Sequence, residues 1–387
     1  MAIIPYGRQS ISQSDIDAVV AVLRSEFLTQ GPAVPAFEKL ISTRCSVEYA
    51  VAVNSATSAL HIACLALGVM EGDSVWTTSV TFVASANCAV FCGAIVDFVD
   101  IDPSTLNISV SCLAEKLWHA EKIGTLPKVV IPVHLSGRSC DMLEIHELSR
   151  LYGFKIIEDA SHAIGGNYGG EPIGNCRYSD IAVFSFHPVK IVTTGEGGMA
   201  LTNNPQYAQR MELLRSHGVT RDPSLMTEKN PAPWCYEQSE LGYNYRMTDI
   251  QAALGISQIA KLNQFVARRR ELAARYDALL SDLPLRLPLA DRQNQSSWHL
   301  YIVRLYLSRI ALSHREVFDR LRSANISVNL HYMPVYLQPY YRAFGFAPGY
   351  CPEAESYCAE AISLPLYPDL SEQDQDYVVA ILRRVLL

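Results

Sequence analysis

Two hydrophobic patterns alternate along the first half of the chain. Short apolar runs, typical of buried strands, are separated by longer stretches in which apolar residues recur three and four positions apart, as in helices. Because strands separated by such helices form βαβ units, the alternation predicts an α/β fold with a mainly parallel sheet. The predicted strands are residues 49–53, 75–79, 95–99, 129–134, 154–158 and 181–186, and the predicted helices are 15–24, 33–43, 59–67, 84–91, 112–123 and 142–152.

The pattern changes in the last third of the chain. Residues 248–280 contain good helix formers and few breakers, so they predict one long helix that leaves a large domain and begins a smaller one. We therefore expect a large domain over residues 1–250, including an N-terminal arm, and a small C-terminal domain over 251–387. A long loop at 211–245, a strand at 298–306 and helices at 315–323 and 370–387 complete the predicted elements.

Composition limits the classes of protein to which the chain can belong. Its 387 residues, 49% of them hydrophobic, suffice for two cores, and a net charge of −7 without a long basic run argues against a nucleic-acid partner. Its ten cysteines form no CxxC pair and no zinc-ligand cluster, which predicts reduced thiols, no metal site and a cytoplasmic protein. Neither a run of ~18 apolar residues nor a signal peptide is found, so no membrane span is expected.

A single lysine, Lys190, lies in the turn after the apolar run 181–186. A lysine that is desolvated beside apolar or cationic groups loses its proton readily and can form a Schiff base. Residues 193–198, Thr-Thr-Gly-Glu-Gly-Gly, follow it and would let the backbone approach a ligand closely, because glycine has no Cβ. The alternative is an ordinary exposed lysine in a loop between strands.

A second candidate site is the turn at residues 54–58, Asn-Ser-Ala-Thr-Ser, between a predicted strand and a predicted helix. The free N–H groups and the dipole of a helix N-terminus both favour an anion at such a turn. The alternative is a simple helix cap formed by Ser55 or Thr57. This segment alone does not choose between the two.

Further chemical groups fall at the carboxyl ends of predicted strands, where parallel sheets collect ligands. Asp159 follows the strand 154–158, Ser185 lies near the end of 181–186, and Phe82 follows 75–79. Pyridoxal 5'-phosphate needs a Schiff-base lysine, an acid for its ring nitrogen, an anion site and a flat group against its ring. The sequence therefore predicts pyridoxal 5'-phosphate as the cofactor.

Several motifs together resemble those of one enzyme family. They are residues 185–190 (Ser-Phe-His-Pro-Val-Lys), 195–198 (Gly-Glu-Gly-Gly), 158–162 (Glu-Asp-Ala-Ser-His) and 242–255, which begins Gly-Tyr-Asn-Tyr-Arg-Met. In this order, and over nearly the whole chain, they resemble nucleotide-sugar aminotransferases of the DegT/StrS type. Segments 5–6, 27–32, 134–137 and 329–336 are similar to the branch of that family that acts in pseudaminic acid biosynthesis.

The resemblance implies a role for each matching residue. Lys190 would form the Schiff base and act as the catalytic residue, Asp159 would pair with the pyridinium nitrogen, and Phe82 would stack on the ring. His162 would lie beside the cofactor hydroxyl, and Asn244 would reach the phosphate bound in the neighbouring subunit. Ala56, Thr57 and Ser185 would complete the phosphate site, and the candidate substrate contacts are Tyr6, Thr29, Glu196, Asn329, His331 and Tyr332.

The resemblance also implies a fold and a reaction. The fold would be that of a fold-type I aminotransferase, with a smaller α+β C-terminal domain, acting as a homodimer with shared active sites. The reaction would transfer an amino group from L-glutamate to C4 of a UDP-linked 4-keto-6-deoxy-N-acetylhexosamine, as in pseudaminic acid biosynthesis. The alternatives are an aminotransferase for another nucleotide 4-keto or 3-keto sugar, and a catalytically silent binding protein with this fold. A nicotinamide-dependent oxidoreductase is not expected, because no GxGxxG motif follows a predicted strand.

Overall fold

The computed structural model describes residues 3–228, 231–289 and 294–387. Strands and helices alternate over the first part of these residues, as the hydrophobic pattern predicts, and a second group of elements follows. As far as residue 215 the elements are α1 (Gln13–Leu23), α2 (Ala33–Cys45), β1 (Tyr49–Val53), α3 (Ala56–Ala66), β2 (Ser74–Thr78), α4 (Ala84–Phe91), β3 (Ile95–Val99), α5 (Val110–Ile123), β4 (Val129–Ile131), α6 (Met142–Tyr152), β5 (Lys155–Asp159), β6 (Asn167–Tyr168), β7 (Glu171–Pro172), β8 (Ile181–Ser185), β9 (Gly198–Thr202) and α7 (Pro205–Arg215). Beyond it they are β10 (Val219–Thr220), β11 (Glu237–Gln238), α8 (Asp249–Ile259), α9 (Leu262–Leu280), β12 (Leu285–Arg286), β13 (Tyr301–Leu305), α10 (His314–Ser323), α11 (Pro339–Arg342), α12 (Pro352–Glu360), β14 (Ala361–Leu364) and α13 (Glu372–Leu386).

Among the described residues, seven strands form the central sheet in the order β1-β9-β8-β5-β4-β2-β3. β9 pairs antiparallel with β1 and with β8, and the other neighbouring strands are parallel. Every residue of β8 and β9 is buried, as expected for strands covered on both faces. The predicted mainly parallel sheet is confirmed, whereas β9 is a strand that the hydrophobic pattern did not predict.

Helix α3 runs from the carboxyl end of β1 into the centre of the molecule. Residues 58–64 are all buried, because α3 packs against β8 and β9 as well as α4 and α7. This burial explains why the helix carries no charged residue between Ala56 and Ala66. It also fixes the N-terminus of α3 at the edge of the sheet where β1 ends.

The prediction of one helix over residues 248–280 is wrong. Helix α8 ends at Ile259 and α9 begins at Leu262, because α8 packs on α1 and α2 while α9 extends to α13. At the break, the ammonium group of Lys261 donates a hydrogen bond to Ser12 Oγ at 2.8 Å and forms an ion pair with Asp15. Tertiary contacts therefore override local helix propensity at this position.

The long loop predicted at residues 211–245 is only partly correct. Residues 211–215 are the last turn of α7, and β10 and β11 form a short antiparallel pair within the segment. Trp234 and Leu241 are 81% and 76% exposed, so their side chains do not contribute to a core of this chain.

The C-terminal elements have their own core around the three-stranded sheet β12-β13-β14. Leu272 and later residues of α9 join this core, whereas Phe265 and Val266 pack in the core beneath α2. The change of core thus lies inside α9, and the domain boundary at residues 250/251 stays a prediction. The N-terminal arm joins the C-terminal core, because Ile4 is buried there and forms a bridge with Ile326.

Two kinds of feature are not found in the described residues. No helix in residues 3–228, 231–289 or 294–387 is long and apolar enough to cross a membrane. Nor do these residues include a group of three or more His, Cys, Asp or Glu side chains that could hold a metal ion.

Candidate active site

Lys190 lies on the loop that connects β8 to the antiparallel strand β9. The base of the loop is closed by two backbone hydrogen bonds, from Phe186 N–H to Gly197 O at 2.9 Å and from Thr194 N–H to Phe186 O at 3.0 Å. The backbone N–H of Lys190 donates to His187 O at 2.9 Å, which makes a turn at the lysine itself. The loop therefore presents Lys190 at the carboxyl edge of the sheet.

The environment of Lys190 favours a neutral amine. Burial lowers the pKa of Lys190 to about 8, although the nearby Asp159 carboxylate acts in the opposite direction and raises it. Near neutral pH an appreciable fraction of the amine is therefore unprotonated, as nucleophilic and base chemistry requires. The alternative of an ordinary exposed lysine does not agree with this environment.

Asp159 is the last residue of β5 and is 5% exposed. Ser85 Oγ donates a hydrogen bond to Oδ2 at 2.6 Å, and the N–H of Ser161 donates to Oδ1 at 3.1 Å. Ser85 lies in the first turn of α4 and also bonds with Thr81 Oγ1 at 2.8 Å. The carboxylate is therefore fixed from behind and still reaches the cavity.

The turn between β1 and α3 lies at the cavity, where the sequence suggested either an anion site or a helix cap. Ser55 is the N-cap of α3 and its Oγ accepts from Ser58 N–H at 3.1 Å, so the capping interpretation holds for Ser55. Ala56 and Thr57, in the first turn, line the cavity with the free end of the helix. At Gly198 a Cβ would lie 2.4 Å from the carbonyl of Ser55, so only glycine lets β9 run beside this turn.

Phe82 supplies an aromatic surface on the loop between β2 and α4. It is 57% exposed even though it lines the cavity, and its nearest ring neighbour is Tyr332, with 6.0 Å between centroids. A large aromatic side chain with an open face in a cavity provides a stacking surface for a planar ligand.

His162 and Tyr332 meet on another wall of the cavity. Tyr332 Oη hydrogen-bonds with His162 Nε2 at 3.2 Å. Burial, together with the charge of Lys190 and the neighbouring His331, lowers the pKa of His162 well below its ordinary value, so this imidazole is neutral. Within the described residues, Nδ1 of His162 is buried without a hydrogen-bond partner.

A polar wall formed by the N-terminal arm and residues 329–332 faces this centre. His331 Nδ1 hydrogen-bonds with Ser363 Oγ at 2.8 Å, and its Nε2 lies 3.3 Å from Asn329 Nδ2. Burial and the charge of Lys190 lower the pKa of His331 to about 3. The ring of Tyr6 lies 4.9 Å from the His331 ring, so the arm contributes directly to the wall.

Most of the predicted site residues meet around one cavity of about 780 Å³. Thr29 and Asn244 do not line it: Thr29 forms a bridge with Thr248, and Asn244 forms one with Ser216. The predicted residues that do line it are Tyr6, Ala56, Thr57, Phe82, Asp159, His162, Ser185, Lys190, Glu196, Asn329, His331 and Tyr332.

Sequence reasoning missed several residues with defined positions at this site. Gln251 lines the cavity and donates from Nε2 to the backbone O of Glu196 at 2.9 Å. Asp249 holds the segment near Thr29, because its carboxylate accepts from the N–H groups of Gly31 and Ala33 at 2.6 and 2.7 Å. Both belong to the motif at 242–255, which was the available signal. Ser85 lies in an apolar helix and carried no signal.

The residues present fit pyridoxal 5'-phosphate. One cavity combines the depressed pKa of Lys190, the fixed carboxylate of Asp159, the open face of Phe82 and the N-terminus of α3. These are the amine, the acid, the flat group and the anion site that this cofactor needs.

Comparison with known proteins agrees with this geometry. The family model for DegT/DnrJ/EryC1/StrS aminotransferases matches residues 9–383. The chain is 36% identical over 386 residues to the spore coat polysaccharide biosynthesis protein SpsC of Bacillus subtilis, covering 99% of this chain and 97% of SpsC.

Solved structures give the same result. PseC of Helicobacter pylori, an aminotransferase involved in the biosynthesis of pseudoaminic acid, superposes with a TM-score of 0.89 at 29% identity over 99% of both chains. Spr1654 of Streptococcus pneumoniae in its PLP form has a TM-score of 0.87 at 29% identity over 100% of both chains. The predicted fold class and cofactor are thereby confirmed. The chain belongs to the DegT/DnrJ/EryC1/StrS aminotransferase family, whose cofactor is pyridoxal 5'-phosphate.

Proposed function

We propose that this enzyme transfers an amino group from L-glutamate to C4 of a UDP-linked 4-keto-6-deoxy-N-acetylhexosamine, as in pseudaminic acid biosynthesis. The main support is that Lys190 and Asp159 line the same cavity as the polar side chains of Tyr6, Asn329 and His331. Its volume of about 780 Å³ leaves room for a sugar beside a cofactor. The similarity to PseC supports the choice of sugar.

Residues from several elements of this chain would hold the cofactor. Asp159 would hold the ring nitrogen, Phe82 would cover one ring face, and His162 would lie beside the ring hydroxyl. The first turn of α3, with Ala56 and Thr57, would bind the phosphate through its free N–H groups. The hydroxyl of Ser185, which is 7% exposed, would add a further phosphate contact.

When bound, pyridoxal 5'-phosphate supplies the electron sink that amino-group transfer requires. Lys190 holds and moves the proton during this transfer, because its lowered pKa of about 8 lets the amine both accept and release a proton near neutral pH. Asp159 stabilises positive charge at the ring nitrogen without moving, because Ser85 and Ser161 already fix its oxygens.

The substrate would lie against the wall built by the arm and residues 329–332. Tyr6, Asn329, His331 and Tyr332 offer neutral hydrogen-bonding groups there, since the pKa of His331 is lowered to about 3 by burial and by Lys190. Neutral donors and acceptors suit the hydroxyl, keto and amide groups of an N-acetyl sugar. Glu196, which is exposed at the mouth of the cavity, would complete the contacts.

Thr29 and Asn244 would act on the site of a partner subunit in a homodimer. The support is that neither side chain lines the cavity of its own chain. Mixing Lys190→Ala chains with Asn244→Trp chains should restore part of the activity that each lacks, because one site of the mixed dimer has both groups intact. If the mixture stays inactive although mass spectrometry detects mixed dimers, Asn244 has no such role.

The reaction would take place in the cytoplasm. All the cysteines that the structure describes are free, including the half-buried Cys92, Cys112, Cys235 and Cys358. Free thiols are typical of proteins in a reducing compartment.

A different nucleotide keto sugar is the second candidate substrate. The similarity to SpsC, which is named for spore coat polysaccharide biosynthesis, favours it. A catalytically silent binding protein is disfavoured, because a protein without catalysis has no need of the lowered pKa of Lys190.

The experiment is incubation of the loaded enzyme with L-glutamate and a panel of nucleotide keto sugars that differ in base, in keto position and in configuration. Mass spectrometry should detect replacement of the keto oxygen by an amine, and NMR should place the amine at C4 of the UDP-linked N-acetyl sugar. Lys190→Ala is the control that should form no product. Preferred amination of another sugar would replace the proposed substrate, and no amination of any sugar would contradict the function.

A further inference from the structure

His299 is a buried histidine for which the roles proposed above give no function. It is 4% exposed, and its ring lies against that of His162, with 4.3 Å between the ring centroids and a tilt of 49°. His162 lines the cavity, so His299 occupies the layer directly behind a cavity residue. His299 precedes β13 of the C-terminal part, whereas His162 follows β5 of the central sheet. The two rings therefore make a contact between the two parts of the chain.

Backbone hydrogen bonds fix His299 in this place. Its N–H donates to Ser136 O at 2.8 Å, and its carbonyl accepts from Nη1 of the fully buried Arg269 at 3.2 Å. Two residues earlier, Ser297 Oγ donates to the backbone O of His162 at 2.8 Å. The segment that carries His299 is thus tied to the backbone of the residue whose ring it contacts.

The surroundings keep both rings neutral. Burial, followed by the charge of Lys190 and the neighbouring His331, lowers the pKa of His162 well below its ordinary value. Burial also lowers the pKa of His299, and His162, Lys190, Arg269 and His331 lower it further. This arrangement depends on keeping water away from both rings, because desolvation is the largest cause of both shifts.

The contact is not explained by stability alone. In the described part of the chain, Nδ1 of His162 and Nδ1 of His299 are both buried without a hydrogen-bond partner. A buried polar atom without a partner destabilises a fold, and two such atoms on touching rings do so twice. Because one of the two rings lines the cavity and the other lies directly behind it, we ask what the pair does for the reaction.

We propose that His299 is a positioning residue for amino-group transfer: its ring holds His162 in one orientation and excludes water from the side of His162 that faces away from the cavity. This inference rests on the function proposed above. With the ring of His299 in place, His162 meets the cavity as a neutral group held by Tyr332 at 3.2 Å. Without it, water reaches His162, the imidazole takes up a proton, and the new charge lies in a cavity that already contains Lys190.

The first test is a histidine titration by NMR on the full-length protein, with and without cofactor. The His162 resonance is assigned by its loss in His162→Gln. In the wild type and in His299→Phe, which keeps a ring in the same place, His162 should stay neutral through the pH range in which an ordinary histidine titrates. In His299→Ala the pKa of His162 should rise toward the ordinary value of histidine, because its desolvation is relieved while the charge of Lys190 still opposes protonation. His119→Ala, which removes an exposed histidine that lies beside Trp118, is the matched control.

The second test is the pH profile of the amination rate. His299→Ala should lower kcat about 10-fold to 100-fold with little change in KM, because the substitution misplaces a cavity group and leaves the groups that bind the substrate intact. It should also add an acidic limb to the profile at the pH where His162 titrates in this variant, and His299→Phe should not. If His299→Ala does not fold, His299→Asn, which also admits water, is measured in its place.

Two results would overturn the proposal: an untitrated His162 in a folded His299→Ala protein, or a His299→Phe protein that behaves like His299→Ala. Failure of the proposed function is a separate result. A wild-type enzyme that aminates no sugar contradicts that function. The NMR titration of the cofactor-free protein still decides whether His299 excludes water from His162.

Discussion

Glu158 and Asp159 are neighbours at the end of β5, but their carboxylates have different surroundings. Successive side chains of a strand point to opposite faces, and here Asp159 lines the cavity while Glu158 does not. Each is 5% exposed, so the two do not differ in burial. They differ in whether protein groups surround the carboxylate completely or leave one side of it open to the cavity.

On the Glu158 side the protein supplies every partner that the carboxylate needs. Oε2 lies 2.7 Å from Nε2 of the fully buried His134, and Oε1 accepts from Ser179 Oγ. The N–H of Cys140 donates to His134 Nδ1 at 3.1 Å, so the imidazole proton must be on Nε2 and is donated to Glu158. The result is a closed structural network.

The hydrogen-bond donors to the Asp159 carboxylate lie only on its side away from the cavity. Ser85 and Ser161 each donate one hydrogen bond, and in front lies Lys190, whose pKa of about 8 reflects burial that Asp159 partly opposes. The comparison teaches that burial alone does not separate a structural carboxylate from a functional one. A carboxylate that is fixed on one side and open to a cavity on the other can act on a ligand.

Asp159→Ala should have the largest effect, and on catalysis. The amination rate should fall about 10²-fold to 10³-fold, because the charge that we propose stabilises the ring nitrogen is lost. The free energy of unfolding of the cofactor-free protein should fall by only about 1–2 kcal/mol, because Ser85 keeps its bond with Thr81 and water from the open side can accept from Ser161 N–H. Steady-state kinetics and urea unfolding measure the two effects. An unchanged rate would remove Asp159 from the mechanism.

Glu158→Ala should give the opposite result. It leaves the imidazole N–H of the fully buried His134 and the half-buried hydroxyl of Ser179 without an acceptor, so the free energy of unfolding should fall by about 3–5 kcal/mol. The folded fraction should keep a kcat close to that of the wild type, since Glu158 does not line the cavity. The urea midpoint is compared with that of Asp159→Ala. Equal stability of the two variants would break the comparison.

The sequence predicted the strands at this site but not the environments of the two acids. Strand β5 is a buried apolar run, and Asp159 stands out at its end, so both could be found from local pattern. The partners of the acids could not, because Ser85 is 74 residues from Asp159 and His134 is 24 residues from Glu158. No local rule links residues so far apart.

The same limit explains two of the errors in the predicted elements. The break between α8 and α9 depends on Lys261 contacting α1, and Asp15 is 246 residues away. Strand β9 follows directly on a glycine-rich turn, and only its pairing with β1 and β8 makes it a strand. Residues whose role is fixed by their own neighbourhood were predicted, and residues whose role is fixed by distant partners were not.

Glu158→Gln sharpens the comparison because it removes the charge and keeps the shape. The amide oxygen can still accept from His134, and the amide N–H can donate to Ser179, so the network remains complete. The free energy of unfolding should therefore fall by only about 1 kcal/mol, well short of the loss in Glu158→Ala. A loss as large as that of Glu158→Ala, by the same urea measurement, would mean that charge rather than hydrogen bonding stabilises this side.

The smallest expected effect is a difference between the pKa values of two lysines, each of which lies near an aspartate. Burial lowers the pKa of Lys190 to about 8, whereas the hydrogen bond with Asp180, at 3.0 Å, raises the pKa of Lys155 above its ordinary value. Only an unprotonated amine is acylated, so labelling of Lys190 in the cofactor-free protein should be half-maximal near pH 8 and labelling of Lys155 only at much higher pH. Competitive acylation with acetic anhydride, read by mass spectrometry, measures both in one sample.

Because Asp159 raises the pKa of Lys190, Asp159→Ala should move the half-maximal pH of Lys190 downward and leave that of Lys155 unchanged. A Lys190 that labels in parallel with Lys155 would show that the cavity does not prepare this amine for chemistry.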